Sequence, residues 1–182
     1  MTRKLIFLFL TIALMAAYLP AQTKQPKTVR DFFMALPDKY FSLDCCMSLP
    51  HSKQKAAYLK RYLDVEDTAN GYMKASADAA QEGFEMALFK RPNGTYLIGF
   101  CTKGEGGVED TPWTYFFDYK NGKWTDISRT MIAKYSKERY IYELPRTGTT
   151  VEVFAKDENG TEWYKGEKLY DLEWKNGKFV KK

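Results

Sequence analysis

This 182-residue sequence predicts an α+β fold, in which N-terminal helices pack on one face of a twisted antiparallel β-meander sheet. Apolar residues recur with helical spacing before residue 64 and with alternating, strand-like spacing after Gly71. Four Asn-Gly dipeptides, starting at residues 93, 121, 159 and 176, divide the strand-like part into hairpins. A β-sandwich or a small barrel with appended helices is the structural alternative.

The first 21 residues predict a signal peptide. Arg3 and Lys4 precede a 15-residue run with a single polar residue before Tyr18, and this run is shorter than the about 20 residues that a transmembrane helix needs. Cleavage after Ala21 would leave a polar tail, residues 22–27, and would lower the formal net charge from +5 to +3. We expect a bacterial-type exported protein, periplasmic or extracellular, without a stable membrane anchor after cleavage. An uncleaved anchor is the alternative.

Helical patterns occur in three places. Thr28 and Asp31 resemble a capping box for a first helix, which Pro37 ends. A second helix starts near Ser52, and its apolar stripe extends to Leu63. A third helical pattern covers roughly residues 128–136.

Strands are expected in the rest of the chain, near residues 71–76, 83–90, 95–102, 113–119, 123–127, 139–144, 150–156, 161–165, 168–175 and 178–181. An Asn-Gly-Thr turn followed by a Lys-Asn-Gly-Lys turn occurs twice. The chain is therefore also compatible with two tandem helix-plus-meander units, residues 28–127 and a shorter 128–182, in one compact domain. In arrangement alone this resembles the tandem modules of some secreted bacterial inhibitors and peptidase-propeptide-like domains, a resemblance that carries no functional residue.

The hairpins differ in their surroundings. Strands 83–90 and 95–102 are apolar on both faces, which predicts a central hairpin covered by helices on one side and by more chain on the other. Two-residue turns at the Lys-Asn-Gly-Lys sites place Tyr119 opposite Trp124 and Trp174 opposite Phe179. The same register places lysine opposite lysine, so these two tips must be exposed.

Cys45, Cys46 and Cys101 are the only cysteines. Cys45 and Cys46 are adjacent, so export to an oxidising compartment favours one disulfide between this pair and Cys101. The sequence leaves open which of the two would pair, and three buried thiols are the alternative.

The composition excludes several kinds of site. One histidine and three cysteines cannot form a multi-histidine metal site or a four-thiolate cluster, and we expect neither a metal nor a cofactor. The net charge is too small to predict nucleic-acid binding. A secreted hydrolase could still use acids such as Glu85, Glu109 or Asp110, or Cys45 with His51, because such pairs form only in the fold.

Aromatic residues make up 16% of the chain, more than a small core requires. Some of them should therefore reach the surface, where tryptophan and tyrosine anchor protein or glycan ligands. We expect an exported, non-enzymatic binding or inhibitory module that engages a macromolecule through an aromatic sheet face or through its hairpin tips. A small-molecule carrier with an aromatic-lined pocket is a further alternative, beside the hydrolase. The candidate binding residues are Trp113, Tyr115, Trp124, Tyr164 and Trp174.

Overall fold

The computed structural model describes residues 25–43, 46–76, 78, 81–103, 112–159 and 162–182, without the side chains of His51 and of residues 158–159 and 162–164. The predicted signal peptide and the segment that carries Glu109 and Asp110 lie outside these ranges. Within them, every pair of neighbouring strands is antiparallel. The antiparallel architecture predicted from the Asn-Gly turns is therefore confirmed.

The helices in the described ranges are short. Helix α1 spans Val29–Ala35, α2 spans His51–Tyr62 and α3 spans Ser128–Met131, and a 3₁₀ turn covers Asp38–Tyr40. The predicted capping box is present, because Thr28 Oγ1 accepts a hydrogen bond from the Asp31 amide and the Asp31 carboxylate accepts one from the Thr28 amide. The third helix is shorter than the predicted 128–136, and Lys134 follows it with a positive φ of 58°, which is incompatible with continuing it.

Helix α2 begins one residue before the predicted Ser52, with Pro50 rather than serine in the N-cap position. It ends at Tyr62. Leu63, which the apolar stripe places in the helix, instead begins a strand. Apolar side chains alternate with acidic ones in this strand. The same residues fit the last turn of the preceding amphipathic helix equally well, so the pattern does not distinguish a strand from a helix here. The strand could be recognised only from its partner, Tyr72–Ala75.

The ten strands of the described ranges follow the predicted order closely. They are β1 Leu63–Asp67, β2 Tyr72–Ala75, β3 Gly83–Lys90, β4 Tyr96–Lys103, β5 Thr114–Lys120, β6 Lys123–Asp126, β7 Tyr140–Glu143, β8 Thr150–Asn159, β9 Glu162–Lys175 and β10 Lys178–Lys181. The two strands predicted at 161–165 and 168–175 are one long strand, β9. Its pairing with β8 shifts register near Phe154, which lets the strand continue past Gly166.

The strands form two sheets, which corrects the expectation of a single one. The first sheet has six strands in the order β1-β2-β3-β4-β5-β6, and the second has four in the order β10-β9-β8-β7. Adjacent strands of each sheet follow one another in the chain, so both sheets are meanders. Helix α3 separates β6 from β7, and the meander stops there because no tight turn joins these two strands.

Residues of α1 and α2 lie in one buried cluster with residues of the first sheet. Phe33 of α1 stacks on Phe84 of β3 with ring centroids 4.3 Å apart, and Tyr58 of α2 lies in the same buried cluster. Ile98 and Phe100 of β4 point into this cluster as well. Residues on one side of the central hairpin thus share a buried cluster with helix residues.

The second sheet covers the opposite face of the first. Phe89 and Phe116 from the first sheet share a buried cluster with Tyr142, Val153 and Trp174 from the second. The centroids of Phe89 and Trp174 are 5.7 Å apart, and those of Phe116 and Tyr142 are 6.1 Å apart. The central strands β3 and β4 are therefore buried on both faces, as the apolar residues of this hairpin predict.

The predicted hairpin registers are confirmed where the structure describes them. Tyr119 faces Trp124, and Trp174 faces Phe179. The turn residues Asn121 and Asn176 have positive φ values of 52° and 50°, as tight hairpin turns require. The predicted turn at residues 159–160 lies partly outside the described ranges.

Candidate functional site

Two of the five candidate binding residues, Trp113 and Tyr115, lie together at the surface. They line an open groove of about 360 Å³, here called the Trp113 groove. Its other lining residues are Asp38, Lys39, Tyr40, Phe41, Ser42, Glu82, Thr102 and Lys137. A neighbouring depression of about 290 Å³ shares Lys137. The groove is the place where predicted binding aromatics meet charged side chains.

Three segments build the Trp113 groove. Trp113 and Tyr115 are two residues apart, at and before the start of β5, so their side chains point to the same face. Thr102 of β4 fixes this end, because its Oγ1 accepts a hydrogen bond from the Trp113 amide at 3.1 Å. The 3₁₀ turn supplies Tyr40, and the segment after α3 supplies Lys137.

Aromatic rings form the floor of the groove. The Tyr40 and Tyr115 centroids are 5.3 Å apart at an interplanar angle of 63°. Tyr115 in turn stacks on the buried Phe117, with centroids 5.5 Å apart and planes at 14°. Burial raises the pKa of the Tyr115 phenol, and carboxylates such as that of Asp126 act in the same direction. The phenol therefore stays protonated at neutral pH.

Lys137 connects Trp113 and Tyr115. Its Nζ lies 3.8 Å from the centroid of the Trp113 ring and 5.0 Å from that of Tyr115, both within cation–π distance. The same Nζ donates a hydrogen bond to Tyr115 Oη at 3.3 Å. A second lysine of the groove, Lys39, lies 4.7 Å from the Tyr40 ring centroid. Positive charge thus lies over the faces of three rings in the groove.

Lys156 of β8 supports the groove from below. Its Nζ donates hydrogen bonds to the backbone oxygens of Pro112, at 2.8 Å, and of Lys137, at 2.5 Å. These bonds tie together the chain segments that carry Trp113 and Lys137. Burial lowers the pKa of Lys156 to about 8. The second sheet thereby fixes the position of two groove residues that belong to different elements.

The other candidate aromatics lie elsewhere. Trp124 is half-buried against α1, with its ring 6.2 Å from that of Phe32. Trp174 is only 7% exposed, and its Nε1 donates a hydrogen bond to the Lys90 backbone oxygen at 2.9 Å. Its ring belongs to the core between the sheets and offers no surface to a ligand. The side chain of Tyr164 lies outside the described part of the structure.

The expected disulfide to Cys101 is not formed. Cys101 is a free thiol, 1% exposed, and lies in the cluster between the two sheets. Its Sγ donates to the Thr102 backbone oxygen and accepts from Thr114 Oγ1, both at 3.3 Å. Cys46 lies in the cluster on the helix side of the first sheet, so the sheet separates these two residues. Cys45 lies outside the described residues.

Burial raises the pKa of the Cys101 thiol to about 11, so it is protonated and unreactive at neutral pH. Glu85, the described member of the candidate acids, is 7% exposed and accepts a hydrogen bond from Lys103 Nζ at 2.7 Å. It is therefore paired with a base rather than with a second acid. The His51 side chain, Glu109 and Asp110 lie outside the described structure.

Sequence reasoning did not select Tyr40, Lys39 or Lys137 as site residues. Tyr40 stands in a stretch without a clear period, and Lys137 follows a short helix among several other charged residues. Neither carries a local signal, because their importance comes only from their position beside Trp113 and Tyr115. The single hint in the sequence to such a site residue would have been a charged residue close to the end of a strand rich in aromatic residues.

Among the described residues, no three His, Cys, Asp or Glu side chains are placed to hold a metal ion. None of the helices in those ranges has the length and apolar character to cross a bilayer. The chain matches no protein-family model, no curated protein and no solved structure.

Proposed function

We propose that this chain is an exported, non-enzymatic binding or inhibitory module that engages a protein or glycan through the Trp113 groove. One observation carries the proposal: Tyr40, Trp113 and Tyr115 meet in an open groove beside Lys39 and Lys137. Tryptophan and tyrosine give a large contact area at a low entropic cost, and they dominate binding energy in known interfaces.

The shape of the groove supports a segment of a large ligand. A volume of about 360 Å³ is near the lower end for small-molecule sites, which usually enclose most of their ligand. This groove is open, so a sugar ring or side chain inserted into it would remain attached to a chain outside. Lys39 and Lys137 border the rings and favour ligands that carry hydroxyl or carboxylate groups beside the stacking surface.

The groove is also braced before any ligand arrives. Lys156 holds both walls through two backbone oxygens, and Lys137 is held by Tyr115 and Trp113. A site whose side chains are already ordered loses less entropy on binding. This favours recognition by a preformed surface.

We further assign the chain to the α+β class, with helix-plus-meander units at residues 28–127 and 128–182 in one compact domain. Support comes from the contact of α1 and α2 with the first sheet, and from the position of α3 between the two meanders. The β-sandwich alternative describes the two facing sheets equally well, but it treats the helices as additions to the fold.

The test is a paired screen of wild type and Trp113→Ala on a glycan array and on a displayed random-peptide library. We expect ligands in one of the two, with affinity lowered about 30-fold or more by Trp113→Ala, since a truncated hot-spot aromatic costs about 2 kcal/mol or more. Tyr170→Ala is the matched control, because Tyr170 is also half-exposed with a lysine, Lys181, 4.1 Å from its ring centroid.

Equal affinity of wild type and Trp113→Ala for every ligand found would contradict the proposal. So would a screen in which Tyr170→Ala loses binding and Trp113→Ala does not. Circular dichroism of both variants shows whether either loses its fold, and a Trp113→Phe variant that keeps an aromatic ring should retain most of the affinity.

A further inference from the structure

Three hairpin turns meet at one end of the molecule, here called the lysine end. They are the turns at residues 91–95, 120–123 and 175–178. The first two are neighbours, because β4 pairs with β5 with Leu97 opposite Asp118. The third joins them across the sheets: a Cβ added to Gly177 would lie 3.7 Å from Pro92 Cδ. Residues far apart in sequence thus form one surface.

The lysine end is strongly cationic. Its positive side chains are Lys90, Arg91, Lys120, Lys123, Lys175 and Lys178. Asp118 pairs with Arg91 at 2.7 Å, and Glu173 pairs with Lys175 at 2.9 Å. The other four cations are exposed and form no ion pair with any described residue.

The pairing within the turns opposes stability. Lys120 faces Lys123, and Lys175 faces Lys178. Like charges directly opposite each other in an antiparallel pair are destabilising. Lysine on an edge strand protects against aggregation, which accounts for Lys123 on β6 and Lys178 on β10. It does not account for Lys120 and Lys175, which stand on strands paired on both sides.

We propose that the lysine end binds an acidic polysaccharide. Four ammonium groups that form no ion pair within the described part of the chain favour a ligand with several negative charges, and lysine, as a flexible point charge, suits carboxylates or sulfates spaced along a chain. The turns at Asn93, Asn121 and Asn176 add amide groups that hydrogen-bond to hydroxyls. They carry no apolar side chain apart from Pro92, whereas proteins that lie on membranes insert apolar residues at the interface.

This surface is separate from the Trp113 groove. Tyr115 and Lys120 lie on the same strand, five residues apart, which corresponds to about 17 Å. The inference therefore goes beyond the proposed function and can fail or succeed independently of it.

The experiment measures affinity for polygalacturonate by calorimetry at several salt concentrations, with neutral dextran as the reference polymer. The test variant is Lys120→Gln/Lys123→Gln/Lys178→Gln. The control, Lys53→Gln/Lys60→Gln/Arg129→Gln, removes the same charge from three exposed residues on the helices, which likewise form no ion pair with described residues. Repeating the comparison of test and control variants in a Trp113→Ala background separates this surface from the groove.

We expect wild type and the control to bind polygalacturonate alike and to ignore dextran, and the difference between the test and control variants to persist in the Trp113→Ala background. The test variant should bind at least about tenfold more weakly at low salt, and its plot of log affinity against log salt should be shallower by about 2, because three fewer ligand charges are neutralised and each contributes about 0.7 to the slope for a single-stranded polyanion. An equal loss in test and control variants, or no binding by wild type, overturns the proposal. Tighter binding to phosphatidylserine vesicles or duplex DNA at the same salt concentration overturns it as well.

Discussion

Gly99 of β4 sets how closely the two sheets approach each other. A Cβ at this position would lie 2.8 Å from Leu144 Cδ2 and 3.2 Å from Phe89 Cε2. Leu144 is buried, with 6% of its surface exposed. Glycine in a strand usually weakens it, so its presence here is explained by the close contact between side chains from both sheets.

Gly99→Ala should therefore lower the free energy of unfolding, by about 1–3 kcal/mol, because the added methyl group overpacks the core. Chemical denaturation measures the change. In a Leu144→Ala background the space is available, and the same substitution should cost little or become favourable, since alanine has less backbone entropy to lose than glycine. A cost that is unchanged in this background would show that Leu144 is not the obstacle.

The lysine pairs beside the hairpin turns affect the stability of the hairpins that contain them. The β5–β6 hairpin brings Lys120 opposite Lys123 and Asp118 opposite Thr125. The two pairs are two residues apart along the same edge strand. A carboxylate introduced on β6 should therefore have opposite effects on stability at position 123, which faces a lysine, and at position 125, which faces an aspartate.

Lys123→Glu should raise the free energy of unfolding by about 0.2–1 kcal/mol, because it replaces a like-charge pair with an opposite-charge pair. Thr125→Glu, the matched control, should lower it or leave it unchanged, because the new carboxylate faces Asp118. Both are measured by thermal or urea unfolding at low salt. At 1 M salt the difference between the variants should largely vanish through screening. A gain for both variants would point to a general benefit of acidic residues.

At the scale of the whole molecule, one apolar cluster joins the two sheets. Trp174 of β9 contacts Phe89 of β3 and donates its Nε1 hydrogen to the Lys90 backbone oxygen. Because this cluster contains residues of both sheets, neither sheet alone would bury the apolar face that it turns toward the other. We expect the two sheets to unfold together.

Trp174→Phe should lower the midpoint of a single unfolding transition, with a loss of roughly 2 kcal/mol from the cavity and the lost hydrogen bond. Far-ultraviolet circular dichroism and intrinsic fluorescence should report the same midpoint in wild type and variant. Tyr170→Phe, half-exposed on the same strand, should change stability by less than about 0.5 kcal/mol. Two separate transitions would mean that the sheets are independent units.

The local features of the fold could be predicted from the sequence with good accuracy. The capping box at Thr28, the turns at Asn121 and Asn176, and the register that places Tyr119 opposite Trp124 all depend on residues close together in the chain. Short loops close at little entropic cost, so their residues determine the geometry directly. Strand β1 was missed because its only support comes from another strand.

The candidate site could be predicted only in part. Alternation along β5 places Trp113 and Tyr115 on one face, and this pattern is readable in the sequence. It does not distinguish Trp113 at the surface from Trp174 in the core, since both stand in similar alternating strands. Tyr40 and Lys137 reach the groove through contacts between distant segments, which no local pattern records.

Backbone sterics and side-chain alternation act over a few residues, so the antiparallel strands, their turns and the two apolar faces of the central hairpin could all be predicted from local patterns in the chain. Three features emerge only in the folded chain: the strands divide into two sheets, Cys101 remains a free thiol between them, and three lysine-bearing turns share one end. These features depend on which surfaces exclude water together, and that choice is made by the whole chain at once.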